Sequence, residues 1–293
     1  MHRAAIVGLV FVAGAAASAS AQFAALTQRA AEASPATGSG EAPGTVVRFP
    51  PALTLSNFQD GGEEAVEDLP PESFWEGWDG SVAFGLNGNQ GNTENLSLRA
   101  AIAAVRATPT METTLGFVYA YSSRDSESTE NRARFDARND WLFGEDSRWR
   151  YFVSGFVEYD EFQDWDLRVG AFTGFGYDFI KSERTVLTGR AGLGATHRFG
   201  GEDEDTRFEG LLGVDWTHQL NDRNKLYASA TYYPNFSDMP EFRVEARAGW
   251  EIQLDESNGM FLNLGVEDRY DSDPGGDSEN NDFAYFALLG WNF

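Results

Sequence analysis

Between Asn131 and Trp141 the chain reads NRARFDARNDW, and the period of this stretch decides the fold. Ala133, Phe135, Ala137 and Trp141 alternate with Arg132, Arg134, Asp136, Arg138 and Asp140. A helix would scatter both sets around its circumference. An extended strand puts successive side chains on opposite faces, so one face is apolar and the other carries charges of both signs.

The same two-residue period extends in both directions. Upstream, Trp78, Gly80, Val82, Phe84 and Leu86 oppose Asp79, Ser81 and Asn87, and Leu96, Leu98, Ala100, Ile102 and Ala104 oppose Asn95, Ser97 and Arg99. Met111, Leu115, Phe117, Tyr119 and Tyr121 follow. Downstream, residues 149–162 and 165–179 read as a hairpin, then come residues 185–199, 208–216 and 226–233. Phe242, Val244, Ala246, Ala248, Trp250 and Ile252 then oppose Arg243, Glu245, Arg247 and Glu251. Residues 260–270 and 283–293 complete about twelve strands, an even number that brings both ends of a closed barrel to one side. The connections alternate too. "TPT", "GEDSR", "KSER", "NDRN" and "DESNG" are tight, whereas "SSRDSEST", "GGEDED", "NFSDMP" and "DSDPGGDSENN" read as longer loops, with "EFQD" a short exception on that side.

Composition fits this reading. The chain has 293 residues, 46 acidic against 22 basic, 31 glycines and no cysteine, so neither disulfides nor thiolate chemistry is available. Past the first 20 or so residues, no window approaches the roughly 18 apolar residues of a membrane helix. A mean hydropathy of -0.40 looks soluble, yet it is compatible with a membrane β-barrel, whose apolar residues fall on every second position and are hidden by a window average.

The N-terminus reads as a secretory leader: Arg3, an apolar run from Ala4 to about Ala17, and small residues at Ala19, Ser20 and Ala21. Cleavage is expected after about Ala21, giving residues 1–21 as signal peptide. Residues 22–74 are rich in Pro, Gly and acidic residues without a sustained period. They read as a flexible periplasmic extension, with a partner-binding or barrel-plugging segment as the alternative. Residues 75–293 form the barrel domain.

A soluble sandwich also alternates, hiding its apolar face against a second sheet. Two features favour a membrane barrel: the dense two-sign charge on the polar face, and aromatics near strand ends (Trp78, Tyr119, Tyr121, Trp141, Trp149, Tyr151, Trp165, Tyr177, Trp216, Tyr270, Trp291). Such rings favour the lipid–water interface. The expected fold class is therefore all-β, a transmembrane antiparallel up-and-down β-barrel of about twelve strands in the outer membrane.

Several motifs resemble a known family. They are Trp78-Asp79-Gly80, "GNTE" at 91–94, "YDEFQDWDLR" at 159–168, "GFGYDF" at 174–179 and "GLGATHRF" at 192–199. In this order they resemble the salt-induced outer-membrane proteins, a YdiY-like domain of unknown function. The resemblance implies an outer-membrane barrel and an envelope or osmotic-stress role, and it carries no activity. The proline-rich extension has no match in that pattern.

Candidate chemistry is sparse, and no enzyme is expected. A barrel hydrolase needs a Ser activated by a His held by an Asn or acid. Past the leader only His197 and His218 occur; both lie on the outward parity near strand ends, and no facing Ser or "GxSxG" elbow accompanies them. A lipid or peptide hydrolase remains the alternative. "GEDED" at 201–205 and "DSDPGGDSEN" at 271–280 have calcium-loop composition without its ligand spacing. No cofactor or metal is assigned, although a surface barrel binding divalent cations or another ligand stays open. "GLNGNQGN" lacks the Lys of a phosphate loop, and the acid excess argues against nucleic-acid binding.

The inward ladder Arg132, Arg134, Asp136, Arg138, Asp140, Arg243, Glu245, Arg247 and Glu251 suggests a narrow channel or a closed structural barrel rather than a general porin, since twelve strands enclose a narrow lumen. Expected partners are outer-membrane lipid, lipopolysaccharide and the barrel-assembly machinery, with the chain a monomer. For that machinery, Tyr285, Trp291 and Phe293 of the closing "NDFAYFALLGWNF" form the expected assembly signal. Phe286 and Leu288 break the polarity of that strand's inner face.

Overall fold

The computed structural model describes residues 77–90, 94–200, 204–275 and 278–293. The leader, the extension, most of "GNTE", residues 201–203 and residues 276–277 lie outside the described residues. The strands are β1 (Trp78–Asn89), β2 (Asn95–Ala107), β3 (Met111–Arg124), β4 (Glu127–Leu142), β5 (Trp149–Asp160) and β6 (Leu167–Lys181). They continue as β7 (Thr185–Phe199), β8 (Thr206–Asn221), β9 (Asn224–Pro234), β10 (Phe242–Asp255), β11 (Met260–Asp271) and β12 (Asn281–Asn292). Each pairs antiparallel with its neighbours in sequence, and β12 returns to β1, closing one twelve-stranded barrel.

The alternation fixes the two surfaces. Phe208, pointing out, is 64% exposed, while Phe152, pointing in, is 0% exposed. Register brings apolar side chains together on the outside, as in Ile102↔Phe117 and Phe117↔Phe135. A single closed sheet has no second layer to cover such a surface, so this is the face a bilayer would cover. Aromatic groups band its two ends. Trp141 stacks on Tyr151 (5.7 Å) and Trp149 meets Tyr177 edge-on (4.9 Å) near the short turns. Phe242 lies 5.5 Å from both Tyr232 and Tyr270 near the longer loops.

Two connections differ from expectation. "SSRDSEST" is no long loop, because β3 and β4 run on into it and turn at Asp125 and Ser126 alone, both at positive φ (51° and 70°). That is the left-handed conformation a two-residue hairpin needs to match strand twist. Conversely, "EFQD" belongs to a fuller connection, residues 161–166. Trp165, expected in an interfacial girdle, lies in that connection instead and is buried, with the Arg168 guanidinium 4.6 Å above its ring.

The closing seam is shorter than the others. Its register runs from Ser81↔Asn292 to Phe84↔Leu289, preceded by the mutual Gly80–Phe293 hydrogen bonds (2.8 and 2.9 Å). The Phe293 ring lies over Gly80, where a side chain would collide with it.

Inward glycines answer to inward rings. A Cβ at Gly170 would strike the Phe156 ring, and one at Gly265 the Phe286 ring. The glycine lets each ring lie flat against a neighbouring backbone inside the narrow lumen. Gly170→Val should therefore overpack the lumen and destabilise the barrel by about 1–3 kcal/mol. This is readable as a lower temperature for losing the folded, fast-migrating band on unboiled gels; an unchanged temperature would contradict the packing.

Candidate functional site: the charged lumen

The even residues of β4 and the odd residues of β10 point inward, so Arg132, Arg134, Asp136, Arg138, Asp140, Arg243, Glu245, Arg247 and Glu251 all lie on the lumen side. β4 and β10 stand on opposite walls, six strands apart around the ring. Arg134 Nη1 nevertheless reaches Glu245 Oε1 at 3.0 Å. β5 and β11 are likewise opposite, and Arg269 Nη1 lies 2.9 Å from Glu158 Oε1. Arg132 on β4 reaches Glu267 on β11 at 3.0 Å. These pairs span the interior from wall to wall.

Glu158 is the centre of the outer half. Its fully buried carboxylate meets Arg168 at 2.7 Å, Arg269 at 2.9 Å and Arg134 at 3.3 Å. Arg243 pairs with Glu209 at 2.8 Å and with Glu245 at 3.5 Å. A second group fills the half near the short turns. Arg138 holds Asp140 at 2.9 Å, Arg150 holds Asp178 at 2.6 Å, and Arg190 bonds Asp215 and lies 3.5 Å from Asp140. Glu251 pairs with Lys225 at 3.0 Å and not with its strand neighbour Arg247.

Sequence reasoning missed Glu158, Arg168, Arg190 and Glu267, and it placed Glu209 on the polar face without counting it in the ladder. The signal was present in the strand parity of 149–160, 167–181, 185–199, 206–221 and 260–271; only the β4 and β10 runs were dense enough to stand out. It also missed the aromatic filling. Phe152, Phe156, Phe172, Leu211 and Tyr233 cluster inside. Guanidinium groups cap these rings, with Arg134 4.4 Å over Phe156 and Arg243 4.6 Å over Tyr233. Between the walls a cavity of about 230 Å³ remains, lined by Arg99, Arg132, Arg247, Glu267 and Phe261 among others.

The other candidates are placed as follows. Tyr285 and Trp291 lie on the outer face of β12, with Phe293 just beyond its end. His197 Nδ1 is 2.7 Å from Thr206 Oγ1, and its Nε2 is 3.4 Å from Glu204 Oε1. His218 Nδ1 is 2.7 Å from Thr185 Oγ1, with its ring stacked 6.0 Å from Trp216. In the acidic loops, Asp205 and Asp273 bind Arg207 at 2.6 and 2.7 Å, and Asp271 lies 3.1 Å from Arg198. Among the described residues, no group of three or more His, Asp or Glu is arranged to hold a metal ion.

Removing one partner of a buried pair strands the other's charge. Glu158→Gln should therefore destabilise the barrel by about 3–5 kcal/mol, measured by urea unfolding in lipid vesicles. Glu256→Gln, which breaks only the exposed pair with Arg223 (3.1 Å), should change stability by less than about 1 kcal/mol. Equal effects would contradict the central place of Glu158.

No curated protein matches the chain. Among solved structures, a bacterial polysaccharide outer membrane secretin is 10% identical with a TM-score of 0.40, covering 74% of this chain and 97% of its own. The NanC porin is 10% identical with a TM-score of 0.42, covering 72% and 97%. The translocator domain of the autotransporter NalP from Neisseria meningitidis is 13% identical with a TM-score of 0.37, covering 74% and 88%. Scores this low support no transfer of function. The family described as "Protein of unknown function, DUF481" matches residues 82–293, nearly the whole barrel, and the chain belongs to that family.

Proposed function

We propose that this chain is an outer-membrane barrel with a sealed interior, serving the envelope rather than general solute exchange. The observation that carries this reading is the set of ion pairs between opposite walls, Arg134–Glu245 and Arg269–Glu158. A solute crossing the lumen would have to separate buried, multiply bonded charges. The apolar outer surface and its aromatic bands support placement in a bilayer, and the leader supports export across the inner membrane. A role in salt or osmotic adaptation rests on the family resemblance. Buried pairs are screened far less than exposed ones, which suits a barrel that must hold its shape as external salt changes. In this reading the chain is a monomer, contacts outer-membrane lipid and lipopolysaccharide, and presents Tyr285, Trp291 and Phe293 to the assembly machinery.

A second reading, a lipid hydrolase, draws on Thr206, His197 and Glu204, which form a hydroxyl–imidazole–carboxylate line on the outer face. Among the described residues it shows no oxyanion site, since His197 and Thr206 are partners in the β7–β8 ladder. Catalysis of that kind requires donors aimed at the developing charge.

Planar bilayers containing the folded protein should show no steady conductance. Steps of porin size from the unaltered protein would overturn the sealed reading. Phospholipid hydrolysis abolished by His197→Ala would establish the second reading instead.

A further inference from the structure

Among the described residues, the β1–β12 seam has the shortest ladder of any strand pair, and its strands part only beyond Gly85, whose backbone still lies against that of Ala287. Continuing its register beyond Phe84↔Leu289 would pair Leu86 with Ala287 and Gly88 with Tyr285, and neither pairing is made. The strands keep only their other neighbours there, β2 and β11. Leu86 and Tyr285 flank the gap and are 76% and 85% exposed, above every other large apolar side chain within the strands. Unpaired backbone is not tolerated against lipid tails unless something else satisfies or covers it.

The lumen beside and just below the gap differs from the rest. Phe286 lies level with the gap and heads an apolar cluster whose other members, Ala83, Phe261 and Leu288, sit behind the paired part of the seam and its edge, with Ala101 packed against it. Two guanidinium groups stand over the Phe286 ring, Arg99 at 4.7 Å and Arg247 at 4.8 Å. Arg99 and Arg132 share Glu267, Arg132 has Glu130 at 3.5 Å, and Arg247 makes no ion pair within 4.0 Å among the described residues. Arg247 stands opposite Glu267 in the ladder, but that carboxylate is held by Arg99 and Arg132, so Arg247 has none of its own. It borders the 230 Å³ cavity, where an uncompensated charge is costly.

We propose that the upper β1–β12 seam is a lateral port through which an anionic amphiphile of the outer leaflet enters the barrel wall, its head held by Arg247 and Arg99 and its chain lying on the Phe286–Leu288 cluster and out through the seam. The geometry matches such a molecule in both parts: a guanidinium without an ion pair of its own for a charged head, and an apolar path leading to the bilayer. The inference rests on the bilayer placement proposed above. It does not depend on whether the lumen conducts, which the conductance recording decides separately.

The test uses the full chain folded in zwitterionic detergent and a fluorescent polyene fatty acid as probe. The acid should bind saturably and its methyl ester much more weakly. Arg247→Gln should weaken the acid by about ten-fold or more, as loss of a charged hydrogen-bonding partner does, and Arg247→Lys should retain most of the binding. A Gly88→Cys/Tyr285→Cys pair, oxidised to close the seam, should slow uptake, and reduction should restore it. Equal binding of acid and ester, no change in Arg247→Gln, or inorganic phosphate binding as tightly and displacing the probe would each overturn the port. Unboiled gel mobility confirms that every variant is folded, so lost binding cannot be mistaken for lost structure.

Discussion

A guanidinium inside a twelve-stranded barrel has little water to solvate it, and it must find a carboxylate or an aromatic face within reach. That constraint organises the molecule. Arg134 meets it by bonding Asp136 on its own strand at 3.0 Å, Glu158 on the next strand and Glu245 on the far wall. Each such side chain determines which residues may stand opposite it, so the pairing pins the register of strands distant in sequence. A one-residue slip of any strand would turn its charges to the outside and its apolar residues to the lumen. The same narrowness accounts for the rings laid flat against inward glycines and for the cations capping them.

Against that background the β1–β12 seam stands apart. Elsewhere charge is matched nearly group for group, and the strands are paired along most of their length. Around the seam the pairing stops short, the inner wall turns apolar, and Arg247 rests on Phe286 with no ion pair of its own. Three departures from the barrel's own rules at one place are better explained by a ligand than by separate accidents. The seam is also where the barrel's first and last strands meet.

Most of the fold was legible because alternation is a local property. NRARFDARND shows its two faces without reference to any other strand, and so do the β7 and β10 segments. Loops were less legible. Asp125 and Ser126 carry no Gly or Asn to announce a tight hairpin, and Trp165 resembles an interfacial anchor until Arg168 is seen over its ring. The inward direction of the ladder could be read from parity, but its partners could not. Whether Arg134 reaches Glu245 depends on the number of strands and their stagger, which no single segment encodes. Phe286 and Leu288, which blemish the alternation of the last strand, become intelligible only beside Ala83 and Phe261.

The central claim is that charge crosses the lumen as bonded pairs. Solid-state NMR of the barrel in lipid, with labelled arginine and glutamate, tests it most directly by polarisation transfer between guanidinium nitrogens and carboxylates. The account predicts strong transfer for Arg134–Glu245 and Arg269–Glu158, whose atoms lie 3.0 and 2.9 Å apart, with guanidinium protons shielded from exchange. Absent transfer, together with guanidinium protons exchanging rapidly with water, would show an open, hydrated lumen and contradict it.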